Sequence, residues 1–472
     1  NQTSASRSFS ITVQNDAPSN YFNSVLYTGT GNSRSLTGVG FKPDFIWMKR
    51  RNTAQEHALV DSVRGVQKEL NSDTMAAEGT TTNGVSSFDS DGFTVGSNGL
   101  MNNTNDTYVA WNFKAGGAAV ANTDGDINSQ VSVNNTLGFS IAKYTGTGAN
   151  GATVGHGLDA APEIVFIKNL SGSSHWKSIM APLGAGKALY LNLTNAEASS
   201  QWNNTLPTTS VFTLDTDSND NGNGNEHVAY SFTSKPGFSK VGTYTGNGST
   251  SGPIVQTGFE PAFVMFKATS SSGTYWVMLD NKRDGTNKNR LYANSSSAED
   301  TANFPVDFLS NGFKINTTNS DVNANGITYL YLSFAADGST ATPSLANSFA
   351  TELYTGNGGT QSVTTGFAPD LTWIKVRSNA DSNFLWNTIS GANQMLMSNS
   401  TSAELTRTGV TAFNSNGFTL GNYAGVNSAG YTYVAWNWKA GGTPAINTDG
   451  TTTSLVSANQ AAGFSIVQYT GG

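Results

Sequence analysis

A ten-residue stretch late in the chain, Tyr433–Gly442, is the feature that most limits how this sequence can fold. It reads YVAWNWKAGG, and Tyr108–Gly117 reads YVAWNFKAGG 325 residues earlier. Self-similarity at a fixed distance is the sequence signature of a repeated structural unit. The β-branched and aromatic residues of the stretch are typical of a strand. We therefore interpret it as the last strand of a unit that occurs more than once.

Four units with the same order of short motifs follow one another along the chain. Each opens with a Tyr-Thr-Gly stretch and continues with an apolar strand in which a lysine comes six residues after a proline. The opening tyrosines are Tyr27, Tyr144, Tyr244 and Tyr354, with a further copy at Tyr469. They lie roughly 100 to 117 residues apart, which matches one small domain per repeat. A parallel β-helix is the alternative fold, but its repeats are far shorter.

The repeats predict the domain boundaries. The predicted segments are 1–19, a terminal strand of a preceding immunoglobulin-like domain or a linker; 20–117, module 1; 118–136, a linker; 137–236, module 2; 237–341, module 3; 342–442, module 4; 443–462, a linker; and 463–472, the start of a fifth module.

Each module is predicted to be an antiparallel β-sandwich, so the fold class is all-β. The modules contain many short strands with Gly and Asn at the turns, and no helical periodicity of useful length. Phe45–Lys49 is a run of apolar residues rather than an alternation, which predicts a strand that is buried on both faces.

Composition excludes several classes of function. The net charge is −7 and only 12% of residues are charged, so no basic surface is available to bind the phosphates of a nucleic acid. No apolar run approaches the ~18 residues of a membrane span. The chain contains no Cys, so disulfides do not stabilise the modules.

Several motifs together resemble a known family. YTGNG, the Gly-Phe-x-Pro strand, the stretch 61–65 (DSVRG), SDGF and VAWNWKAGG are similar to repeats in tail-fibre-like structural proteins of tailed bacteriophages, notably marine ones. Those repeats look like concanavalin A-like (laminin-G-like) jelly rolls. The resemblance covers residues 20–472. It implies a virion surface or fibre protein that contacts host glycans, and it implies no catalytic residue. Bacterial and archaeal surface adhesins carry similar domains.

The residues themselves also argue against an enzyme. Sandwich glucanases place paired carboxylates at alternate positions of one strand, and no such Glu-x-Asp-x-x-Glu stretch occurs. A glutamate after alanine recurs in every module, which favours a structural role such as accepting backbone N–H groups. These glutamates are Glu78, Glu197, Glu299 and Glu404. We therefore expect no catalytic residue and no required cofactor.

An acidic loop, Asp215–Glu226, is the candidate calcium site. Carboxylate and amide oxygens suit Ca²⁺, and the candidate ligands are Asp215, Asp217, Asn219 and Glu226. Neither possible frame of the loop has a glycine at position 6 together with a glutamate at position 12. The alternative is a solvated hairpin loop, since other modules carry Asn-, Ser- and Gly-rich loops at the same place.

Three tryptophans are the candidate glycan-binding residues, because an indole can stack on a sugar ring. They are Trp176, Trp276 and Trp386, which we place in the strand after the proline strand. The alternative is that they belong to the sandwich interior, where large aromatic side chains are common.

The sequence thus predicts a virion structural or adhesion protein, located on the virion surface or outside the cell. Its expected partners are copies of itself or other virion proteins, and host surface glycans. Two alternatives remain open: a polysaccharide depolymerase, and a subunit of an extracellular filament or cell-surface adhesin.

Overall fold

The computed structural model describes residues 17–283, 289–302, 304–337, 348–448, 450–459, 462 and 464–471. Most of the strand that the sequence predicts within 1–19 lies outside these residues. The chain forms two compact units, Asn1–Thr340 and Ala341–Gly472. Among the described residues no helix is long and apolar enough to cross a membrane.

Module 1 consists of two antiparallel sheets. Its elements are β1 (Phe22–Thr28), β2 (Arg34–Thr37), β3 (Phe45–Arg50), β4 (Ala58–Asp61), β5 (Lys68–Glu69), β6 (Gly79–Thr80), β7 (Val85–Asp89), β8 (Gly92–Val95), α1 (Gly99–Asn102) and β9 (Thr107–Phe113). The larger sheet has the order β1-β9-β3-β4 and the smaller sheet β2-β8-β7, while β5 pairs with β6.

Module 2 repeats this plan with additional edge strands. Its elements are β10 (Val120–Asn122), β11 (Ser129–Asn134), β12 (Phe139–Thr145), β13 (Thr153–Gly155), β14 (Ile164–Asn169), β15 (Lys177–Met180), β16 (Ala188–Tyr190), β17 (Val211–Thr213), α2 (Ser218–Asn221) and β18 (Glu226–Phe232). The larger sheet has the order β10-β11-β12-β18-β14-β15-β16, and β13 pairs with β17. The segment expected to be a linker, 118–136, therefore adds two strands to this sheet, because Val131 packs into the core of module 2.

Module 3 completes the first unit. Its elements are β19 (Ser239–Thr245), β20 (Ile254–Gln256), β21 (Pro261–Ala268), β22 (Val277–Asp280), β23 (Leu291–Tyr292), β24 (Val306–Leu309), β25 (Gly312–Ile315), α3 (Ser320–Asn323) and β26 (Thr328–Ala335). The larger sheet has the order β19-β26-β21-β22-β23, and the smaller one β20-β25-β24.

The second unit contains module 4 and three further strands. The elements are β27 (Phe349–Thr355), β28 (Gln361–Thr364), β29 (Leu371–Val376), β30 (Asn383–Asn387), β31 (Gln394–Met397), β32 (Leu405–Thr406), β33 (Val410–Asn414), β34 (Gly417–Leu420), α4 (Ala424–Asn427), β35 (Thr432–Trp438), β36 (Ala445–Asn447), β37 (Ser454–Asn459) and β38 (Phe464–Tyr469). The larger sheet of module 4 has the order β27-β35-β29-β30-β31-β32, the smaller one β28-β34-β33, and β36-β37-β38 form a separate sheet.

Each module has its own hydrophobic core between its two sheets, which confirms the predicted all-β sandwich class. In module 1 this core joins Ile46 and Met48 of the larger sheet to Phe93 of the smaller sheet. The opening tyrosine closes one end, since Tyr27 donates its hydroxyl hydrogen to Met101 O at 2.6 Å and stacks on Tyr108. The other three opening tyrosines make the equivalent bond to the short helix of their own module.

A second core is shared by modules 1, 2 and 3. It lies on the outer face of the larger sheet of each module, the face turned away from the smaller sheet. Phe113 shows the sharing most clearly, because its ring lies 4.9 Å from Phe22 in its own module, 5.5 Å from Phe139 in module 2 and 5.2 Å from Phe334 in module 3. Modules that the repeat suggested were self-contained therefore form one three-module block.

We predict that replacing Phe113 with Ala destabilises the whole block and not module 1 alone. Truncating a buried phenylalanine costs about 3–5 kcal/mol, and here the lost contacts reach all three modules. Hydrogen exchange measured by peptide mass spectrometry should show the lost protection in modules 1, 2 and 3 together.

Phe418→Ala is the matched control, because Phe418 is buried in the core of module 4. It should lower protection in module 4 and leave the three-module block unchanged. Loss confined to peptides of module 1 in the Phe113 variant would contradict the shared core.

Candidate functional site at the module interfaces

Three buried lysines connect the modules of the block. They are the lysines six residues after the proline, and each directs Nζ at a backbone carbonyl of another module. The bonds are Lys49 to Ser296 O at 3.2 Å, Lys168 to Met75 O at 3.0 Å and Lys267 to Thr194 O at 3.4 Å. Burial lowers the pKa of each of these lysines to about 8. The three bonds join module 1 to 3, module 2 to 1 and module 3 to 2, so they close a circle.

The recurring glutamates form a second circle of bonds. In each module of the block the backbone N–H of the glutamate donates to a carbonyl two residues after the lysine of the next module. The bonds are Glu78 to Leu170 O at 3.1 Å, Glu197 to Thr269 O at 2.8 Å and Glu299 to Arg51 O at 2.7 Å. The glutamates therefore have structural positions, but the backbone N–H donates across the interface, whereas the sequence suggested a carboxylate that accepts from a loop.

A third circle is formed by ring N–H groups at equivalent positions. Trp176 Nε1 donates to Asn71 O at 2.8 Å, Trp276 Nε1 donates to Tyr190 O at 3.0 Å, and His57 Nε2 bonds Tyr292 O at 2.9 Å. Trp47 fixes the tautomer of His57, because its Nε1–H can only donate and meets His57 Nδ1 at 2.8 Å. His57 is therefore neutral, and its Nε2–H points at module 3.

Two buried ion pairs complete the interfaces. Asp61 pairs with Arg64 in module 1 and accepts from the hydroxyl of Tyr230 in module 2 at 2.7 Å. Asp280 pairs with Arg283 in module 3 at 2.7 Å and accepts from Trp111 Nε1 in module 1 at 2.9 Å. Each carboxylate thus has both a charged partner and a donor from another module, as a buried charge requires.

The three predicted glycan-binding tryptophans all lie in cores. Trp176 and Trp276 belong to the shared core of the block, and Trp386 belongs to the separate core of module 4. Their exposed fractions are 0%, 2% and 0%. Trp386 is not equivalent to the other two, because Asn383 occupies their position in module 4 according to the strand pairing. No ring face of these indoles is open to a sugar, so a glycan-binding role for them remains an unsupported prediction.

The predicted calcium ligands do not converge on one point. The carboxylate of Asp215 accepts the N–H groups of Trp202 and Asn203, both of which have a positive φ. Asp217 caps the short helix α2, and Asn219 Oδ1 accepts from the N–H of His175. Glu226 pairs instead with Lys143 at 2.8 Å.

An ammonium group occupies the place that a cation would take in this loop. Lys177 Nζ lies 2.7 Å from Asp215, 2.9 Å from Asp220 and 3.5 Å from Asp217. Burial lowers the pKa of Lys177, but the carboxylates, chiefly Asp220, raise it above its ordinary value. Burial raises the pKa of Asp220 to about 6, so the pair is ionised at neutral pH. Among the residues that the structure describes, no group of three or more His, Asp or Glu is placed to hold a metal ion.

The acceptors of these interfaces escaped sequence reasoning. The lysine after the proline and the alanine-glutamate pair were visible as repeats, but the carbonyls they bond belong to other modules. His57 gave a weaker signal, because it takes the place that tryptophan has in modules 2 and 3. Aligning the strand after the proline strand would have grouped His57 with Trp176 and Trp276.

We predict that His57 makes the block less stable in acid. Burial lowers the pKa of His57 to about 3, below the ordinary 6.5, so the unfolded chain binds a proton that the folded chain does not. Stability should fall as the pH drops from 6.5 to 3, by about 1.4 kcal/mol per pH unit. The carboxyl of Asp73, whose pKa burial raises to about 6, acts in the opposite direction between pH 6 and 3.8.

Urea unfolding of His57→Gln and the parent protein at pH 7 and pH 5 measures this contribution. Gln cannot be protonated, so the variant should lose less stability between the two pH values. The same loss in both proteins would show that His57 does not titrate in this way.

We predict that Lys177→Met destabilises module 2 by about 3–5 kcal/mol, because it leaves buried carboxylates without their cation. Lys187→Met is the matched control, since the pair of Lys187 and Glu197 is partly exposed and should contribute about 0–1 kcal/mol. Thermal unfolding of both variants with calcium chloride or with a chelator gives the measurement. A melting temperature of the parent protein that rises with calcium would show that the acidic loop binds the metal after all.

The comparisons with known proteins give one match. The comparison with curated proteins and the comparison with solved structures give none. A family model described as a domain of unknown function (DUF7483) matches residues 17–337 and again residues 344–472. The first match spans the three-module block, and the second begins with module 4. The chain belongs to the DUF7483 family.

Proposed function

We propose that this chain is a structural protein of a virion surface or tail fibre, in which three-module blocks act as rigid elements that present their loops outward. The circular closure of modules 1, 2 and 3 around one aromatic core is the observation that carries this proposal. A core shared by three modules leaves them no freedom to move as separate domains, and interior packing transmits force.

The use of the buried polar groups also supports a structural role. The buried lysines, the Asp–Arg pairs and His57 each bond to groups of a neighbouring module, so they position modules relative to one another. Catalytic groups, by contrast, converge on a pocket where a substrate can reach them. The virion location rests on the family resemblance of the repeats. Any glycan contact would come from exposed loops, where repeated weak sites gain avidity.

Single-molecule force spectroscopy tests the rigid block. Pulling the chain from its ends should release residues 17–337 in one event of roughly 1,100 Å, at about 3.3–3.6 Å per residue. Three separate events of about a third of that length would show that the modules resist force independently.

Location and ligand need their own measurements. Gold-labelled antibodies against the chain should mark projections of the virus particle, and label on host cells alone would favour a cellular adhesin. A glycan array and a polysaccharide pull-down test adhesion, and two negative results would remove it. Release of reducing ends from host polysaccharide would instead support a depolymerase.

A further inference from the structure

Module 4 leaves partly exposed the positions whose counterparts in modules 1, 2 and 3 are buried in their shared core. In module 1 the outer face of the larger sheet presents Phe45, Trp47 and Lys49 along β3, and all three are buried. In module 4 the same positions of β29 are Leu371, Trp373 and Lys375, and each is only half-buried. The inner face of β29 is fully buried by the smaller sheet of module 4. The outer face is therefore an apolar surface without the cover that its counterpart has.

The exposed fraction of one equivalent leucine shows how module 4 differs from the other three modules. Leu70, Leu189 and Leu291 are equivalent by strand pairing in modules 1, 2 and 3, and each is 0% exposed. Their counterpart in module 4 is Leu396, which is 42% exposed. Aromatic residues add to this face, since Phe349, Trp436 and Trp438 take the places of Phe22, Trp111 and Phe113.

Two tryptophans of this face have counterparts in module 1 whose indole N–H groups bond an acceptor. Trp111 Nε1 in module 1 donates to Asp280 of module 3, and Trp436 occupies its position in module 4. Trp373 Nε1 is buried and bonds no acceptor among the described residues; its counterpart Trp47 Nε1 bonds His57 of its own module, whose place Asn383 takes in module 4. A partner of this face should thus supply aromatic surface together with a carboxylate or carbonyl acceptor.

The strands after module 4 repeat the junction between modules 1 and 2. Gly116 N donates to Ser132 Oγ at 2.9 Å in the first junction, and Gly441 N donates to Ser457 Oγ at 2.9 Å in the second. Strands β36-β37-β38 pair in the same register as β10-β11-β12. Trp438 stacks on Phe464 as Phe113 packs on Phe139.

The two copies differ at the second edge of the third strand, which is β12 in module 2 and β38 after module 4. In module 2, β12 pairs with β11 along one edge and with β18 along the other, and Tyr144 on β12 is 3% exposed. Tyr469 has the same position on β38 and is 67% exposed, and no described strand pairs with that edge. The start of a second module 2 is thus built in its proper register on module 4.

We propose that module 4 and β36-β37-β38 are the first part of a second three-module block, and that the outer face of module 4 binds two modules of the same type as modules 2 and 3. The family model also matches residues 344–472, which contain module 4 and β36-β37-β38. These two modules would carry phenylalanines at the positions equivalent to Phe232 and Phe334. They would also carry, at the position equivalent to Asp280, an acceptor for the indole N–H of Trp436. The inference rests on the internal repeat and does not depend on where the protein is displayed.

An extended chain provides the test. Residues 463–472 align with residues 138–147, so a second copy of residues 148–337 can follow Gly472 without changing the register. Hydroxyl-radical footprinting then measures the oxidation of Trp373, Trp436 and Trp438. In the extended chain their oxidation should fall about tenfold or more, because burial takes the indole rings out of solvent. Trp47 and Trp111, buried in the first block, give the reference rate.

Two controls separate docking from other causes. The same extension with Phe232→Asp and Phe334→Asp in the added copy keeps the length but should leave the three tryptophans reactive. Hydrogen exchange of peptides from 148–337 should show one protected population when both copies are folded. Two populations, or reactive tryptophans beside folded added modules, would overturn the proposal. A further alternative is that copies of this chain cover the face. Light scattering of the unextended chain tests it, since a trimer with protected tryptophans would overturn the proposal in favour of such an assembly.

Discussion

Burial of both faces of the larger sheet is the constraint on which the rest of this structure depends. One face packs on the smaller sheet of the same module, as in any sandwich. The other face also carries a large apolar cluster, and in modules 1, 2 and 3 the two neighbouring modules cover it. A single module of this kind would expose a large aromatic surface, and such surfaces mark interaction sites or lead to aggregation. The block of three, and not the module, is therefore the smallest piece that buries its apolar surface.

Polar groups fix the arrangement that the aromatic core makes favourable. Burial lowers the pKa of Lys49 to about 8, which shows that burying its ammonium group costs the folded chain free energy. The bond from Lys49 Nζ to Ser296 O also depends on how modules 1 and 3 are placed, because it needs the two atoms within hydrogen-bond distance. An apolar interface alone would tolerate sliding of one sheet on another. Buried polar groups that need specific partners act against such alternatives, and we infer that role for these lysines.

The fold class followed from the sequence, whereas the block did not. Phe45–Lys49 was predicted to be buried on both faces, and the structure buries it on both. What covers the second face was not predictable from local pattern, because the acceptor of Lys49 lies 247 residues away. The same limit applies to the acidic loop, where Lys177 comes from a strand that precedes Asp215 by 38 residues. The composition of the loop suggested a calcium ion, whereas in the structure the ammonium group of Lys177 lies beside its carboxylates.

The repeat period has a physical explanation in these terms. Tyr108–Gly117 and Tyr433–Gly442 are nearly identical, while the corresponding strands of modules 2 and 3, Glu226–Phe232 and Thr328–Ala335, differ from both at several positions. Within a block each module meets different neighbours, so Trp111, Tyr230 and Leu332 have diverged at one equivalent position to fit different surroundings. Module 4 has returned to tryptophan there, at Trp436. A residue whose identity depends on its neighbours in the block recurs when the same set of neighbours recurs. The strand of module 1 is therefore most similar to the strand of module 4, three modules further along the chain.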